Sequence, residues 1–209
     1  FNRLLAKARR LPENFVEDMI FKAPSPNIMN KLERAVLALY SFDCDPDNCS
    51  LENVMRQSIE LIARMPMIMA NAYQVKRRAY DGKSMYIHLP KEEYSTAQNI
   101  LRTMRPDKSF TEEEAHLLDI CLILHAEHGG GNNSTFATRV LSSSGTDTYS
   151  AIAAGIGALK GPRHGGANKK VMEQLAALKE AAPLGLDSEV ETYIRKALEK
   201  EAGDGSGLI

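Results

Sequence analysis

The stretch TYSAIAAGIGALKGPRHGGAN, residues 148–168, indicates how the chain folds. In residues 148–160, small side chains such as Ala151, Gly155 and Ala158 recur at three- and four-residue spacing, the repeat of one helical face. Gly161-Pro162 should end this helix, because glycine suits the turn after a helix and proline cannot continue one. The stretch predicts a helix over 148–160, a short loop, and a second helix capped by Asn168.

Glycine inside the predicted helix needs a compensating interaction. Gly155 and Gly157 each cost roughly 1 kcal/mol relative to alanine at an internal helical position. Close approach of a second helix would offset that cost, since a face of small residues lets two backbones come together. The sequence leaves open whether the partner helix belongs to the same chain or to a second subunit.

Helical periodicity continues upstream of this stretch. Residues 27–43 carry apolar side chains on one face after Ser25-Pro26, and a longer pattern runs from Ser50 to Gly82. Pro66 lies inside that longer pattern and should kink or break it, because proline lacks an amide hydrogen. The segment from Pro90 through Leu101 predicts another helix.

Capping patterns add two more helices. Thr111 with Glu114 predicts a capping box, and Ser188 with Glu191 predicts a second one at the start of the last helix. No alternating run rich in β-branched residues competes with these patterns. The sequence therefore predicts an all-α chain.

Composition excludes several classes of protein. The 209 residues are 44% hydrophobic and 25% charged, and 26 basic residues nearly balance 27 acidic ones. The basic surface typical of a nucleic-acid or anionic-membrane binder is missing, and no apolar run is long enough to span a bilayer. Cys44, Cys49 and Cys121 form no CxxC pair. We expect a cytoplasmic protein with reduced thiols, without nucleic-acid or membrane partners.

Two histidines lie close together in HAEHGGGNNSTF, residues 125–136. His125 and His128 are three residues apart, which is a spacing of metal ligands and also places both near a helix C-terminus, where histidine interacts favourably with the helix dipole. Cys121 and Glu127 are nearby but complete no recognised ligand spacing. We expect no metal here, and spacing alone leaves a structural role for the histidines open.

A third histidine, His164, lies in the short segment GPRHGGAN between two predicted helices. Gly165 and Gly166 follow it and would allow a ligand or another backbone to come close. An imidazole in such a loop can donate one hydrogen bond to a substrate carbonyl. A surface histidine without function is the alternative. The nearby GIGALKG, residues 155–161, is no dinucleotide-binding loop, because it lies within a helix and no strand precedes it.

Together these segments resemble the citrate synthase family. HAEHGGGNNSTF followed by SSSGTDTYSAIAAGIGALKGPRHGGAN is similar to the region of that family with its two histidine motifs, and APSPNIMNKLERAVLALYSFD and ARMPMIMANAY are similar to its large domain. The resemblance implies an all-α, multi-helical large domain over residues 1–167 and the start of a small domain over 168–209. We expect the domain to be truncated at both ends.

The resemblance also implies a reaction and residues for it. Citrate synthases condense acetyl-CoA with oxaloacetate through an enol of the thioester, with acetyl-CoA as a substrate and neither a cofactor nor a metal. By matching motifs, His128 and His164 are catalytic: His128 binds oxaloacetate, and His164 hydrogen-bonds the acetyl-CoA carbonyl. Asn132 also belongs to the substrate-binding loop, and Ser134 orients the His164 ring. His125 has no catalytic counterpart.

Several expectations follow from the resemblance. His128 and His164 should lie near one another in a cleft. The family's GFGH-type segment with a further histidine and its catalytic aspartate are absent from residues 1–209, so this chain alone should fold without catalysing. A homodimer is expected. Two alternatives stay open: a 2-methylcitrate synthase that uses propionyl-CoA, and a helical module that associates with itself without turnover.

Overall fold

The computed structural model describes residues 1–127, 129–203 and 205, and no strand occurs among them. The all-α prediction is confirmed. The α-helices are α1 Asn2–Ala8, α2 Ile28–Ala38, α3 Leu51–Tyr80, α4 Thr96–Met104, α5 Glu112–Ala126, α6 Asn133–Ser142, α7 Thr148–Lys160, α8 Ala167–Ala181 and α9 Asp187–Leu198. A π-helix, Val16–Phe21, precedes α2, and a 3₁₀-helix, Leu39–Phe42, follows it.

The chain divides into two compact units, residues 1–159 and 160–209. In the first unit, α3 packs against α1, α2, α4 and the π-helix. In the second, α8 packs against α9. The division into a large domain over 1–167 and a small domain over 168–209 stays a prediction.

The hydrophobic core of the first unit surrounds α3. Burial of its apolar side chains is the main favourable contribution to folding, worth about 1.5–3 kcal/mol for each large side chain. Its buried members are Phe15, Ile20, Leu32, Ala35, Val36, Leu39, Leu61, Ile68, Ala72, Val75, Tyr149 and Ile156.

Helix α3 continues through Pro66, so of the two predicted outcomes the break is wrong and the kink stays a prediction. Buried side chains lie on both sides of the proline, among them Leu61, Ala63 and Met67. Ile62, whose carbonyl Pro66 cannot bond, has an exposed side chain and therefore lies on the solvent side of the helix. Packing of the buried face on both sides of the proline outweighs the one lost hydrogen bond.

The helix predicted from Pro90 begins instead at Thr96. Ser95 and Gln98 form a reciprocal capping box there. The fully buried Asn99 donates from Nδ2 to the carbonyls of Lys91, Tyr94 and Ser95 and accepts from the Lys91 amide. These bonds hold the preceding segment in a turn and prevent it from continuing the helix.

The predicted caps of the last two helices are also wrong. Gly166 precedes α8 without a side-chain cap, and Asn168 lies within the first turn. Leu186 precedes α9, and Ser188 lies within its first turn. The acidic Asp187 and Glu189 interact favourably with the positive end of α9. The capping box of Thr111 and Glu114 and the helix over 148–160 are confirmed.

Candidate active site

A buried polar network fixes the start of α7. The side chain of Asp43, 1% exposed, accepts hydrogen bonds from Arg56 at 2.7 and 2.9 Å, Gln57 Nε2 at 2.9 Å and Tyr149 Oη at 2.7 Å. Thr148 Oγ1 donates to Gln57 Oε1 at 2.5 Å. The first two residues of α7 are therefore tied to the 3₁₀-helix end and to α3.

Hydrogen bonding decides the ionisation of this network. Burial by itself would raise the pKa of Asp43, but bonds from Tyr149, the Asp45 amide, Gln57 and Arg56 outweigh burial and hold the pKa well below its usual range. Burial and the bond to Asp43 raise the pKa of Tyr149 far above its usual range. At neutral pH the network thus holds a carboxylate and a neutral phenol.

Helix α7 is also capped locally. Asp147, which is buried, accepts hydrogen bonds from the Ser150 amide at 2.8 Å and the Ser150 hydroxyl at 2.6 Å. An aspartate three residues before a serine is a recognisable helix start, and this pattern could have been found in the sequence. The network around Asp43 has no such local signal, because Tyr149 and Asp43 are 106 residues apart in the chain and Thr148 and Gln57 are 91 residues apart.

The glycine-rich face of α7 contacts α6. A Cβ atom added to Gly155 would lie 2.5 Å from Thr138 Oγ1 and 3.5 Å from the Ser134 carbonyl oxygen. The distance to Thr138 is too short for a methyl group unless the threonine side chain shifts, so the close approach of the two helices favours glycine at this position. The sequence left open whether the helix that approaches this face belongs to the same chain or to a second subunit. At Gly155 it belongs to the same chain.

Asn132 caps α6. Its Oδ1 accepts hydrogen bonds from the Ser134 amide at 2.9 Å and the Thr135 amide at 3.3 Å, so one side chain satisfies two amides of the first turn. Ser134 lies in that first turn and is half-buried. Asn132 therefore has a structural role, the capping of α6, that motif matching missed, and the roles of Asn132 and Ser134 in the site stay predictions.

Helix α5 ends one residue after the first histidine of the HAEH segment. His125 lies in the last turn, and its Nδ1 is 2.7 Å from the Cys121 carbonyl oxygen. Since a carbonyl can only accept, the ring donates from Nδ1, which agrees with the structural reading of this histidine. His128 lies outside the described residues, and the predicted proximity of His128 and His164 stays a prediction.

His164 lies in a tight turn that follows α7. Its amide donates to the Gly161 carbonyl at 3.0 Å, and the Gly165 amide donates to the same oxygen at 2.9 Å. The ring belongs to a half-buried residue in this turn. A Cβ atom at Gly166 would collide with the Pro162 carbonyl, so the second glycine is required by the turn itself. The sequence GPRHGG therefore fixes the backbone that carries the imidazole.

No group of three or more histidine, cysteine, aspartate or glutamate side chains in the described residues is arranged to hold a metal ion. His128 is outside that search, so the expectation of a site without metal stays a prediction. Cys44, Cys49 and Cys121 are free and exposed. Within the described part of the chain, every helix is too short or too polar to cross a lipid bilayer.

Helix α5 is apolar on several sides, yet only Ala115 of its described side chains is buried. Leu117, Ile123 and Leu124 are 62%, 65% and 69% exposed. A helix that is hydrophobic all round is normally covered by protein or lipid. The adjoining helix α6 adds Phe136 and Val140, which are also exposed.

Comparison with known proteins gives a consistent result. The family model described as citrate synthase, C-terminal domain, matches residues 1–208. Citrate synthase 2 of Bacillus subtilis (strain 168) is 34% identical over 198 residues, which cover 94% of this chain and 50% of that protein. 2-Methylcitrate synthase 1 of Corynebacterium glutamicum is 38% identical over 151 residues, which cover 70% of this chain and 38% of that protein.

Solved structures agree with the sequence relatives. The crystal structure of citrate synthase from Pyrobaculum aerophilum superimposes with a TM-score of 0.75 at 29% identity, covering 94% of this chain and 48% of that one. Citrate synthase from Thermotoga maritima MSB8 gives a TM-score of 0.69 at 28% identity, covering 96% of this chain and 49% of that one. The chain spans about half the length of the first curated relatives it matches. On this evidence the chain belongs to the citrate synthase family.

Proposed function

We propose that the protein to which this chain belongs is a citrate synthase, which condenses acetyl-CoA with oxaloacetate and water to give citrate and CoA. The observation that carries the proposal is the His164 turn, in which two amides bond the Gly161 carbonyl and a glycine is required at 166. The turn holds the backbone from which the imidazole extends, and a hydrogen-bond donor placed in advance is what an enolising enzyme needs.

The chemistry follows from the acidity of a thioester. Removing a proton from the methyl group of acetyl-CoA places negative charge on the thioester oxygen. In this proposal His164 donates a hydrogen bond to that oxygen, and the enol carbon then attacks the ketone of oxaloacetate, whose oxygen takes up a proton to give citryl-CoA. Water then hydrolyses the thioester of citryl-CoA to citrate and CoA. The proposal needs no redox cofactor, because the overall condensation is redox-neutral. It needs no metal ion, because a hydrogen bond from His164 stabilises the charge that develops on the thioester oxygen.

The segment from Glu127 to Ser134 has the complementary role. In this proposal His128 and Asn132 bind oxaloacetate, and Ser134 orients the His164 ring. The Asn132 cap supports this assignment, since two bonds from one side chain to the first turn of α6 make the loop end rigid. A base must also be present, and the resemblance implies an aspartate in a segment that residues 1–209 do not contain.

The test measures CoA release from acetyl-CoA and oxaloacetate with a thiol reagent. Residues 1–209 alone should be inactive, and a chain extended at its C-terminus by the family's segment with the aspartate should be active. In the extended chain, His164→Ala should lower kcat by about 10² to 10⁴-fold, the usual contribution of a proton-transfer or hydrogen-bonding group. His125→Ala is the matched control and should leave kcat nearly unchanged, because that ring bonds the Cys121 carbonyl. Equal losses in the two variants would contradict the assignment.

A second candidate is 2-methylcitrate synthase, favoured by the 38% identity to the Corynebacterium glutamicum protein of that name. The reaction is the same, and propionyl-CoA brings one more methylene, which is worth about 1–3 kcal/mol of discrimination in an apolar pocket. The ratio of kcat/KM for the two acyl-CoAs, measured in the extended chain, separates the candidates. A ratio above tenfold in favour of propionyl-CoA would replace the first assignment by the second.

We also propose that the protein is a homodimer in which α5 is covered by a second copy. The exposed side chains Leu117, Ile123 and Leu124 support this, since a surface of this kind is costly in water. Ile123→Lys should shift the chain from dimer to monomer in analytical ultracentrifugation. Leu89→Lys, at an exposed leucine in a loop, is the matched control and should leave the dimer intact. A dimer unaffected by Ile123→Lys would refute this role of α5. A dimer without enzymatic activity in the extended chain would favour the self-associating module.

The remaining expectations belong to the same proposal. The reaction is the entry step of the tricarboxylic acid cycle, and the free thiols Cys44, Cys49 and Cys121 agree with a cytoplasmic location. Detection of the protein in a fraction other than the cytoplasm would refute that location.

A further inference from the structure

A cavity of about 320 Å³ lies in the first unit, between the π-helix side of the chain and the C-terminal half of α3. Its volume is at the lower end of the range for small-molecule sites. It is lined by Phe21, Pro24, Val75, Arg78, Ala79 and Met85. None of these residues belongs to the proposed active site, and Arg78 is the one charged side chain among them.

One wall of this cavity is held in place by a buried lysine. Lys31, 1% exposed, donates from Nζ to the carbonyls of Met19 and Ala23, the latter at 2.6 Å, and these residues bracket Phe21. Tyr80 Oη donates to the Pro24 carbonyl at 3.4 Å. The apolar wall formed by Phe21 and Pro24 is therefore built before any ligand arrives, which reduces the ordering cost of binding.

The segment of chain that contains Arg78 is mainly positive. Lys76, Arg77, Arg78 and Lys83 lie within eight residues of chain, and the acid among them, Asp81, bonds Lys76 Nζ at 3.1 Å. The Arg77 guanidinium lies 5.8 and 5.9 Å from the ring centroids of Tyr73 and Tyr86, so it makes cation–π contacts with both rings. Among the described residues, no side chain or carbonyl bonds the guanidinium of Arg78, which is exposed.

We propose that this cavity binds a medium-chain aliphatic monocarboxylate, with the chain against the apolar wall and the carboxylate on Arg78. A planar guanidinium can hold a carboxylate by two parallel hydrogen bonds. The otherwise apolar lining suits a hydrocarbon chain, and one unpaired guanidinium matches a single negative charge. A dianion such as a phosphate would leave excess charge against the apolar wall, which is unfavourable.

Octanoate is the probe, and the methyl signal of Met85 in ¹H–¹³C spectra of the 209-residue chain is the readout. The chain contains nine methionines, and the Met85 signal is identified by its loss in Met85→Leu. Octanoate should shift this signal saturably, and the signal of Met172, in the second unit, should not move. 1-Octanol, which keeps the chain and lacks the charge, should bind about tenfold more weakly.

Three variants test the residues. Arg78→Gln should weaken octanoate binding about tenfold, whereas Lys83→Gln, which removes a neighbouring charge that does not line the cavity, should change it less than about twofold. Ala79→Leu should abolish binding by filling the cavity with a side chain that suits a helix. Circular dichroism checks that each variant is folded.

The proposal is overturned if octanoate causes no saturable shift, if 1-octanol binds as tightly as octanoate, or if Arg78→Gln and Lys83→Gln have equal effects. Binding is measured directly, so its outcome is independent of whether the protein condenses acetyl-CoA.

Discussion

Replacing Tyr149 by phenylalanine should lower the free energy of unfolding by about 2 kcal/mol. The phenol is 1% exposed, and its hydroxyl donates at 2.7 Å to a carboxylate of Asp43 that is itself 1% exposed. Hydrogen bonds to charged groups contribute about 1.5–3 kcal/mol in folded proteins. The ring itself is retained in the variant, so its packing in the core is unchanged and the loss reports the hydrogen bond.

The chain contains a matched control. Tyr40 Oη donates to Asp47 at 2.8 Å, nearly the same bond, but at an exposed position. Water can replace the tyrosine at Asp47, so Tyr40→Phe should have a much smaller effect than Tyr149→Phe. Burial of the acceptor, not the length of the bond, distinguishes the two sites.

The assay is urea unfolding of the 209-residue chain at pH 7, followed by circular dichroism at 222 nm because the chain contains no tryptophan. Combining Tyr149→Phe with Asp43→Asn should cost less than the sum of the single changes, since both remove the same hydrogen bond. Equal losses for Tyr149→Phe and Tyr40→Phe, or strictly additive losses in the double variant, would refute the reasoning.

Three further predictions concern the same unit. The pKa of Asp43 is lower in the folded state than in the unfolded state, so its contribution to the free energy of unfolding is present above about pH 4 and is lost as the pH falls. The difference in free energy of unfolding between wild type and Asp43→Asn, measured with urea, should therefore narrow below pH 4. A difference that stays constant with pH would contradict this. Burial lowers the pKa of Lys31 to about 8, so between about pH 8 and 10 the folded state binds fewer protons than the unfolded state and the free energy of unfolding should rise with pH. The rise should be smaller in Lys31→Met. An equal rise in wild type and Lys31→Met would refute the role of Lys31. Gly155→Ala should lower the free energy of unfolding by about 1–3 kcal/mol, because the added methyl group collides with Thr138. Adding Thr138→Ala to this variant should recover part of the lost stability in a thermal melt. No recovery would exclude the collision as the cause.

Interactions between residues near in sequence were predictable. The helix over 148–160, its end at Gly161-Pro162 and the capping box of Thr111 and Glu114 were all found from the sequence. Each depends on bonds and dihedral preferences within one turn of the helix, which the neighbouring residues determine. The position of His164, between two helices, was predictable for the same reason, whereas the helix that begins after Asn132 was not predicted.

Long-range packing decided the rest. α3 continues through Pro66 because buried residues on both sides hold it, and α4 begins at Thr96 because Asn99 bonds the preceding turn. The contact that favours glycine at 155 comes from Thr138 in another helix, and Tyr149 bonds Asp43, which is 106 residues away in the chain. The sequence by itself therefore determined where helices can form and end, since those limits are local. Only the tertiary structure decided which of these possible helix starts and ends occur, because burial and long-range hydrogen bonds together outweigh a local preference of a few kcal/mol.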